Sequence, residues 1–198
     1  PDLRQIAWSR VDNTSIVAAA MAAMTGTGTA TNASDSTGSY INYASAATTS
    51  NRAGWESNTA GFKPQAAPRF WAKVKTGASG DLLVQRTWVG ATSSFSSLYA
   101  ADTVTTANYA VCRASTSAGD TNWKFCTNDA SGTSTDTDTG VAISAATPYT
   151  FCFVYNVTAG SLSSIDCYIN GVYRCTNSTD LPTNSTSIFP IVEAVTLE

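Results

Sequence analysis

Side chains that usually carry acid–base or nucleophilic chemistry are scarce in this sequence. It contains no histidine, so neither a Ser-His-Asp triad nor a Cys-His pair can form. Its three glutamates are Glu56, Glu193 and Glu198, and none lies in a strand with the paired carboxylates that glycoside hydrolysis needs. A tyrosine, lysine or arginine base would also serve, but no spacing selects one. We therefore predict that the protein is not an enzyme and has no catalytic residues.

Two short acidic segments offer oxygen ligands for a metal ion. The segment "STDTDTG" supplies Asp136 and Asp138, and "TNDASG" supplies Asn128 and Asp129. Carboxylates and carbonyls on a loop suit Ca²⁺, but the ligand series of an EF-hand is absent. We interpret both segments as solvated turns between strands and predict neither a metal ion nor another cofactor.

Aromatic side chains could form a platform for a sugar ring. The candidates are Trp55, Trp71, Trp88, Tyr99, Tyr109 and Tyr173. Aromatic residues in alternating strands more often pack in the core or form cross-strand pairs. The sequence therefore does not assign the ligand-binding residues.

Five cysteines, all in the second half of the chain, leave their redox state open. They are Cys112, Cys126, Cys152, Cys167 and Cys175. Free buried thiols that act as small apolar side chains are the preferred interpretation. If a disulfide exists, the first choice is Cys112–Cys126, because hairpin folding about Gly119 brings these two residues together. The second choice is Cys126–Cys152.

The stretch "SIDCYINGVYRC" predicts a tight hairpin. Asn170-Gly171 suits a type I′ turn because both central residues need positive φ. A two-residue loop pairs Ile169 with Val172 and Tyr168 with Tyr173. Continued regular pairing would set Cys167 opposite Arg174 and Cys175 opposite Asp166, on opposite faces of the hairpin. On that register we expect no Cys167–Cys175 disulfide without a bulge or a register change.

The composition excludes some classes of partner. Charged residues make up 13% of the 198 residues, the net charge is −3, and no Lys/Arg run occurs. The electrostatic footprint of a nucleic-acid-binding protein is therefore missing. No apolar run is long enough to span a bilayer, and the start "PDLRQIAWSR" lacks the pattern of a signal peptide. We predict no nucleic-acid and no membrane partner.

The pattern of the chain changes near residue 39. Residues 1–38 read as an N-terminal arm with a short helix in "SIVAAAMAAM" and a low-complexity loop in "TGTGTATNASDSTGS". From there to residue 198 short apolar runs alternate with polar residues, as in "RFWAKVKTG" and "YTFCFVY". About ten such runs, separated by turn residues, indicate an all-β sandwich or barrel over residues 39–198.

The order of these runs resembles one family. The runs are "RFWAKVKTG", "QRTWVG", "NYAVCRASTSAGDTNW", "WKFCTND", "SGTSTDTDTGVAI", "YTFCFVY", "IDCYINGV", "TDLP" and "FPIVEAVTL". Over residues 40–197 the series resembles the concanavalin-like (laminin-G-like) jelly-roll domains of tailed-phage structural proteins. The resemblance implies two antiparallel sheets packed face to face, with an extended N-terminal arm. It also implies one more strand after "AVTL".

The leading hypothesis is a virion structural or appendage protein. On this view the sandwich is a phage capsid (head) decoration or tail fibre module on the particle surface. Three observations motivate it: the Ser/Thr-rich, charge-poor composition, the attachment-like arm 1–38, and the family resemblance. The expected partners are other virion proteins or copies of the chain in a homo-oligomer, with a host-surface glycan as a further partner.

Two other functions stay open at this stage. The alternative is an extracellular carbohydrate-binding lectin or adhesin domain, because the fold that the resemblance implies also occurs in lectins. The third is an enzyme that degrades polysaccharide. Fold alone does not separate these functions, so the site must decide among them.

Overall fold

The structure is a computed structural model that describes residues 22–23, 29–35, 38–45, 52–57, 61–98 and 101–197. In chain order its strands are β1 Ala22–Ala23, β2 Thr29–Asp35, β3 Gly38–Ala44, β4 Arg52–Glu56, β5 Arg69–Lys75, β6 Gln85–Thr92, β7 Asn108–Ser115, β8 Asn122–Asp129, β9 Thr135–Ala142, β10 Pro148–Thr158, β11 Ser161–Ile169, β12 Val172–Asn177 and β13 Phe189–Thr196. The short helical turns are a 3₁₀ turn at Pro64–Ala66, α1 at Ser79–Leu82 and α2 at Phe95–Leu98.

The strands form two main antiparallel sheets. The larger sheet has the order β1-β4-β13-β6-β7-β8-β9, and the smaller sheet has the order β12-β11-β10-β5. β2 and β3 pair with each other as a separate hairpin. Sequence neighbours such as β5 and β6 lie in different sheets, so the chain crosses between the sheets repeatedly. The predicted all-β, two-sheet jelly-roll sandwich is confirmed.

The main core lies between the inner faces of the two sheets. Alternation along β10 turns Phe151, Phe153 and Tyr155 inward, as the sequence predicts. They meet Trp123 and Phe125 of β8, with ring centroids 4.8 Å apart for Trp123–Phe151 and 5.1 Å apart for Phe125–Phe153. Interdigitated aromatic rings of this kind make a large contribution to the burial of apolar surface.

A second apolar cluster covers the outer face of the larger sheet. Leu98, Val104 and Ala107, from the segment between β6 and β7, pack over Trp88 and Tyr109. The outer face of this sheet is therefore partly a second core.

The Asn170-Gly171 hairpin has the predicted turn but a different register beyond it. Asn170 and Gly171 have φ of 56° and 75°, and Tyr168 pairs with Tyr173. The register then shifts, so that Cys167 lies opposite Cys175 and Arg174 is the extra residue of a β-bulge. The prediction that Cys167 and Cys175 occupy opposite faces is wrong, because a regular register would turn the charged Arg174 into the core.

The N-terminal predictions fall mostly outside the described residues. The predicted helix over "SIVAAAMAAM" is described only at Ala22–Ala23, which is strand β1 and pairs with Trp55 and Glu56 of β4. Part of the predicted low-complexity loop is instead strand β2, which pairs with β3 over seven residue pairs. The boundary between residues 38 and 39 stays a prediction. In the described part of the chain no helix is long and apolar enough to cross a bilayer.

Candidate functional site

A row of side chains crosses the outer face of the smaller sheet. Cys152 of β10 lies opposite Trp71 of β5 and opposite Tyr168 of β11, and Tyr168 lies opposite Tyr173 of β12. Trp71 and Tyr173 are each 53% exposed. Three inter-strand spacings give this aromatic row (Trp71, Cys152, Tyr168 and Tyr173) a length of about 14 Å.

The two tyrosines of the aromatic row support each other. The rings of Tyr168 and Tyr173 meet edge to face, with centroids 5.7 Å apart and an interplanar angle of 72°. The Thr176 hydroxyl donates to Asp166 at 2.5 Å, so the Tyr173 hydroxyl donates to Thr176 Oγ1, 2.9 Å away. This chain of hydrogen bonds fixes the exposed ring of Tyr173 in one orientation.

A polar cluster, formed by Asn156, Ser164, Asp166 and Thr176, lies beside the aromatic row. The Asn156 side-chain amide donates to Asp166 Oδ2 at 2.9 Å and contacts Ser164 Oγ at 3.1 Å. Both carboxylate oxygens of Asp166 thus accept hydrogen bonds from the sheet itself. Hydroxyl, amide and carboxylate groups are thus held on the same face as the aromatic rings, two to four residues further along the strands.

The edge strand β5 adds positive charge to the same face. Its outward side chains are Arg69, Trp71, Lys73 and Lys75, and all are exposed. Phe70, Ala72 and Val74 alternate with them and pack against the core. The alternation read from the sequence is confirmed, and it places a tryptophan among three cations.

The aromatic residues considered from the sequence as a sugar platform fall into an exposed and a buried group. Trp71 and Tyr173 are exposed, whereas Trp55, Trp88 and Tyr109 are buried. Tyr99 lies outside the described residues. Tyr168 was not among the candidates, although the predicted hairpin pairing with Tyr173 places it on the same face.

The two acidic segments are not the predicted solvated turns. Asp136 and Asp138 lie in strand β9, and Asn128 and Asp129 are the last residues of strand β8. Asp136 accepts from Arg113 at 2.9 Å, and Asp138 accepts from Lys124 at 2.7 Å. The Asn128 amide donates to the Val104 carbonyl oxygen at 3.0 Å, which ties β8 to the segment over the larger sheet. The Ser131 hydroxyl, and to a smaller extent the Ser131 backbone amide, donate to the Asp129 carboxylate and lower its pKa. Among the described residues no three or more His, Cys, Asp or Glu side chains gather as metal ligands.

Ion pairs also hold the segment that covers the larger sheet. Asp102 in that segment accepts from Arg86 at 2.6 Å, from Ser117 at 2.6 Å and from Ser115. Burial tends to raise the pKa of Asp102, but these hydrogen bonds outweigh it and lower the pKa to about 2. Arg113 pairs with Asp120 at 2.9 Å and donates to the Asp102 carbonyl oxygen at 2.6 Å. This network is structural, because its charges are satisfied within the chain.

A buried carboxyl group lies on the outer side of β13. The Glu193 side chain is 0% exposed, and its nearest cation is Arg52, with Nη1 3.7 Å from Oε1. Desolvation raises the pKa of Glu193 to about 8, opposed by Arg52 and reinforced by Glu56 on the neighbouring strand. Sequence spacing missed that Glu56 and Glu193 share one face, because they come from distant parts of the chain. A carboxyl group with no exposed surface does not reach a substrate.

The positions of the cysteines rule out the two disulfides that were favoured from the sequence. Cys112 and Cys167 lie in the main core, whereas Cys126 lies in the second apolar cluster on the other side of the larger sheet. A Cys112–Cys126 bond is therefore wrong for this register, in which Cys112 pairs with Phe125. Cys152 lies on the outer face of the smaller sheet, so a Cys126–Cys152 bond is wrong as well. All five thiols are free in this structure; four of them are buried, as the preferred interpretation has it, and Cys152 is half-buried.

The comparisons with known proteins give structural likenesses only. No family model and no curated protein matches the chain. A carbohydrate-binding module, CBM66 from Bacillus subtilis, is 11% identical with a TM-score of 0.48, over 90% of this chain and 92% of that one. A native glycosidic hydrolase is 12% identical with a TM-score of 0.47, over 84% of this chain and 64% of that one.

Sheep galectin-11 in complex with glycerol is a further likeness, at 11% identity and a TM-score of 0.44, over 77% of this chain and 97% of that one. The chain spans under two thirds of the length of the glycosidic hydrolase that it resembles. At these scores the likenesses concern strand arrangement and carry no argument about ligand or activity. They give the predicted phage relationship no support, so the virion role, its protein partners and its location stay predictions.

Proposed function

We propose that this chain is a non-catalytic carbohydrate-binding domain that holds a glycan on the outer face of its smaller sheet. The observation that carries the proposal is the aromatic row, in which Trp71 and Tyr173 are half exposed beside the polar cluster. A sugar ring has an apolar C–H face and a rim of hydroxyl groups. It therefore suits a surface that offers a flat ring and fixed polar groups together.

The position of Trp71 supports this proposal. An exposed tryptophan on an edge strand leaves a large apolar area in water, and such exposed patches in soluble proteins commonly mark binding sites. The backbone holds the indole through β5, which pairs with β10 over seven residue pairs. The platform is therefore preorganised, which lowers the entropy lost on binding.

The polar cluster supports selectivity for a glycan over a purely apolar ligand. The Asn156 amide uses both of its N–H groups within the cluster, on Asp166 and Ser164. The Asp166 carboxylate accepts one hydrogen bond on each oxygen, which leaves further lone pairs for ligand hydroxyls. Hydrogen bonds from preplaced groups to ligand hydroxyls fix the register of a sugar along the row.

The non-catalytic part of the proposal depends on the carboxyl groups. Glu193 is buried, and Asp102 and Asp136 are held in ion pairs. Among the described residues, Asp166 is the acid that lies on the aromatic face. A single carboxylate there does not form the pair that glycoside hydrolysis uses.

A glycan array probed with the full chain tests the proposal, followed by titration calorimetry on each hit. We expect Trp71→Ala and Tyr173→Ala each to weaken binding by roughly fivefold, the equivalent of about 1 kcal/mol of ring contact. Leu83→Ala is the matched control, because it removes an exposed apolar side chain just before β6 of the other sheet. Silence on the array, or equal binding by all three variants, would contradict the proposal.

A further inference from the structure

Positive charge is concentrated on the outward face of β5. The chain has 11 Lys and Arg residues, and three of them (Arg69, Lys73 and Lys75) project outward from this strand beside Trp71. In the described part of the chain neither Arg69 nor Lys73 pairs with an acid, whereas Arg86, Arg113 and Lys124 do. The net charge of the whole chain is −3, so this local excess runs against the overall balance.

The spacing of these cations fits a linear ligand. Alternate residues of a strand lie about 6.7 Å apart, so Arg69 and Lys73 flank Trp71 over roughly 13 Å. The described acid on this face is Asp166, which lies two strands away from Arg69, with Val154 between them. Asp166 already accepts hydrogen bonds from Asn156 and Thr176, so it does not neutralise β5.

We propose that the ligand of the aromatic row is an acidic polysaccharide, with carboxylate or sulfate groups on Arg69 and Lys73 and a sugar ring on Trp71. This inference rests on the proposed carbohydrate-binding function. Exposed ion pairs are individually weak, so each cation contributes roughly a twofold to fivefold factor in affinity. Their effect weakens with salt, because the screening length is about 10 Å at 0.1 M.

The test compares matched polymers by titration calorimetry with the full chain at low and high salt. Polygalacturonate is compared with its carboxyl-reduced neutral form, and dextran sulfate is compared with dextran. We expect tighter binding of at least one acidic polymer than of its neutral partner. Arg69→Gln/Lys73→Gln should lower the acidic affinity at least fourfold, and Lys124→Gln, on the other sheet, should not.

The outcomes separate this inference from the proposed function. Equal binding of acidic and neutral polymers, with loss on Trp71→Ala, would overturn the acidic ligand and leave the carbohydrate site standing. No binding in any arm, together with a silent glycan array, would overturn both. An equal loss with Lys124→Gln would mean diffuse attraction rather than a site, and would overturn the inference. Binding to only one acidic polymer identifies carboxylate or sulfate as the recognised group.

Three thiols meet in the main core and carry a second, independent inference. The bulge at Arg174 makes Cys167 and Cys175 direct cross-strand partners. Antiparallel partners have Cα atoms about 4.5–5.5 Å apart, inside the range of about 4.4–6.8 Å that a disulfide needs. From the opposite sheet, Cys112 places its Sγ 3.7 Å from Cys167 Sγ.

We propose that Cys167 and Cys175 form a cross-strand disulfide when the chain folds under oxidising conditions, and that Cys112 is the thiol able to exchange into it. The oxidant is a small or protein disulfide such as oxidised glutathione. One cysteine thiolate attacks that disulfide and releases a thiol, and the second cysteine attacks the mixed disulfide and releases another. Two protein thiols become one disulfide, and one external disulfide becomes two thiols.

Burial restricts this reaction to folding or local opening. In the folded reduced chain, burial raises the pKa of the Cys112 thiol, and the contact with Cys112 raises that of Cys167. Protonated buried thiols are poor nucleophiles. Cys126 and Cys152 lie on other faces and cannot reach the cluster without unfolding.

Tryptic mapping of the full chain, refolded with oxidised and reduced glutathione and alkylated, tests this directly. Cleavage after Arg174 separates the two partners, so the proposed bond links peptides 125–174 and 175–198. A Cys112–Cys167 bond would instead link 87–113 and 125–174. We expect the first link in the wild type and in Cys126→Ser and Cys152→Ser, and its loss in Cys167→Ser.

The variants also test the role of Cys112. In Cys175→Ser we expect the link to move to peptides 87–113 and 125–174, with circular dichroism confirming the fold. Five alkylated thiols in the oxidised wild type would overturn the disulfide. A link to 87–113 in the wild type would overturn the choice of Cys175, and no link in Cys175→Ser would overturn exchange by Cys112.

Discussion

The buried carboxyl group of Glu193 makes the stability of the fold depend on pH. The pKa of Glu193 is about 8 in the folded chain, against an ordinary value of 4.5. Well below pH 4.5 the Glu193 carboxyl group is protonated in both the folded and the unfolded chain, so it does not change the free energy of unfolding. Above that pH the unfolded chain loses the proton first, so the free energy of unfolding falls as pH rises towards 8.

The full shift corresponds to about 5 kcal/mol, of which about 4 kcal/mol is lost between pH 5 and pH 8. Glu193→Gln removes the ionisation and keeps the shape of the side chain. We expect the variant to unfold at nearly the wild-type urea concentration at pH 5 and to be the more stable protein at pH 8. Burial also raises the pKa of Glu56, so the free energy of unfolding of the variant still falls with rising pH, but less steeply than that of the wild type.

Urea unfolding followed by tryptophan fluorescence at pH 5, 6.5 and 8 measures this difference. Asp129→Asn is the control, since its pKa is lowered and its ionisation is complete in both states across this range. Parallel stability curves for the wild type and Glu193→Gln would refute the reasoning, and so would a wild type that is the more stable protein at pH 8. Either result would mean that Glu193 stays solvated in the folded chain.

Three further changes probe the packing of the fold. Gly90→Ala should prevent normal folding and give insoluble protein on expression, because the new Cβ would lie 2.3 Å from the Ala110 carbonyl oxygen. Asn177→Leu should cost about 3 kcal/mol in urea unfolding, because its buried amide bridges β12 to Thr127 and Thr137 of the larger sheet. Asp102→Asn should cost about 2 kcal/mol at pH 7, and this difference should vanish as pH falls through the wild-type pKa of about 2; equal losses at both pH values would contradict the ion-pair role.

Local pattern was sufficient to predict the sandwich. Phe151, Phe153 and Tyr155 alternate with small or polar residues, and a strand with one buried face has no other way to bury three aromatic rings. The turn at Asn170-Gly171 is equally local, since positive φ at both positions suits asparagine and glycine. Both predictions depend on residues within one strand or one turn, and both are confirmed.

The bulge at Arg174 shows where counting along a strand fails. The alternation of inward and outward side chains assumes an unbroken register, which would turn Arg174 towards Cys167 inside the core. Burying an unpaired guanidinium costs far more than one irregular residue pair. The sequence therefore contained a signal for the bulge, because regular alternation along the strand would place a charged residue in the interior.

The two tryptophans Trp71 and Trp88 show why exposure could not be predicted from one strand alone. Each alternates outward from its own sheet, yet only Trp71 faces solvent. Trp88 is covered by Leu98 and Val104, and the covering segment is anchored through Asp102. That cover depends on contacts between distant parts of the chain, which no local period records.

The same contrast strengthens the argument for the smaller sheet as the binding surface. The chain covers the outer face of its larger sheet with an apolar segment and charged pairs, so that Trp88 is buried and Arg113 is paired with Asp120. On the smaller sheet, Trp71, Tyr173 and Arg69 are left in water on a rigid backbone. A fold that buries one aromatic face and leaves the other exposed beside ordered polar groups has an asymmetry that packing alone does not require. A ligand on the aromatic row would account for it.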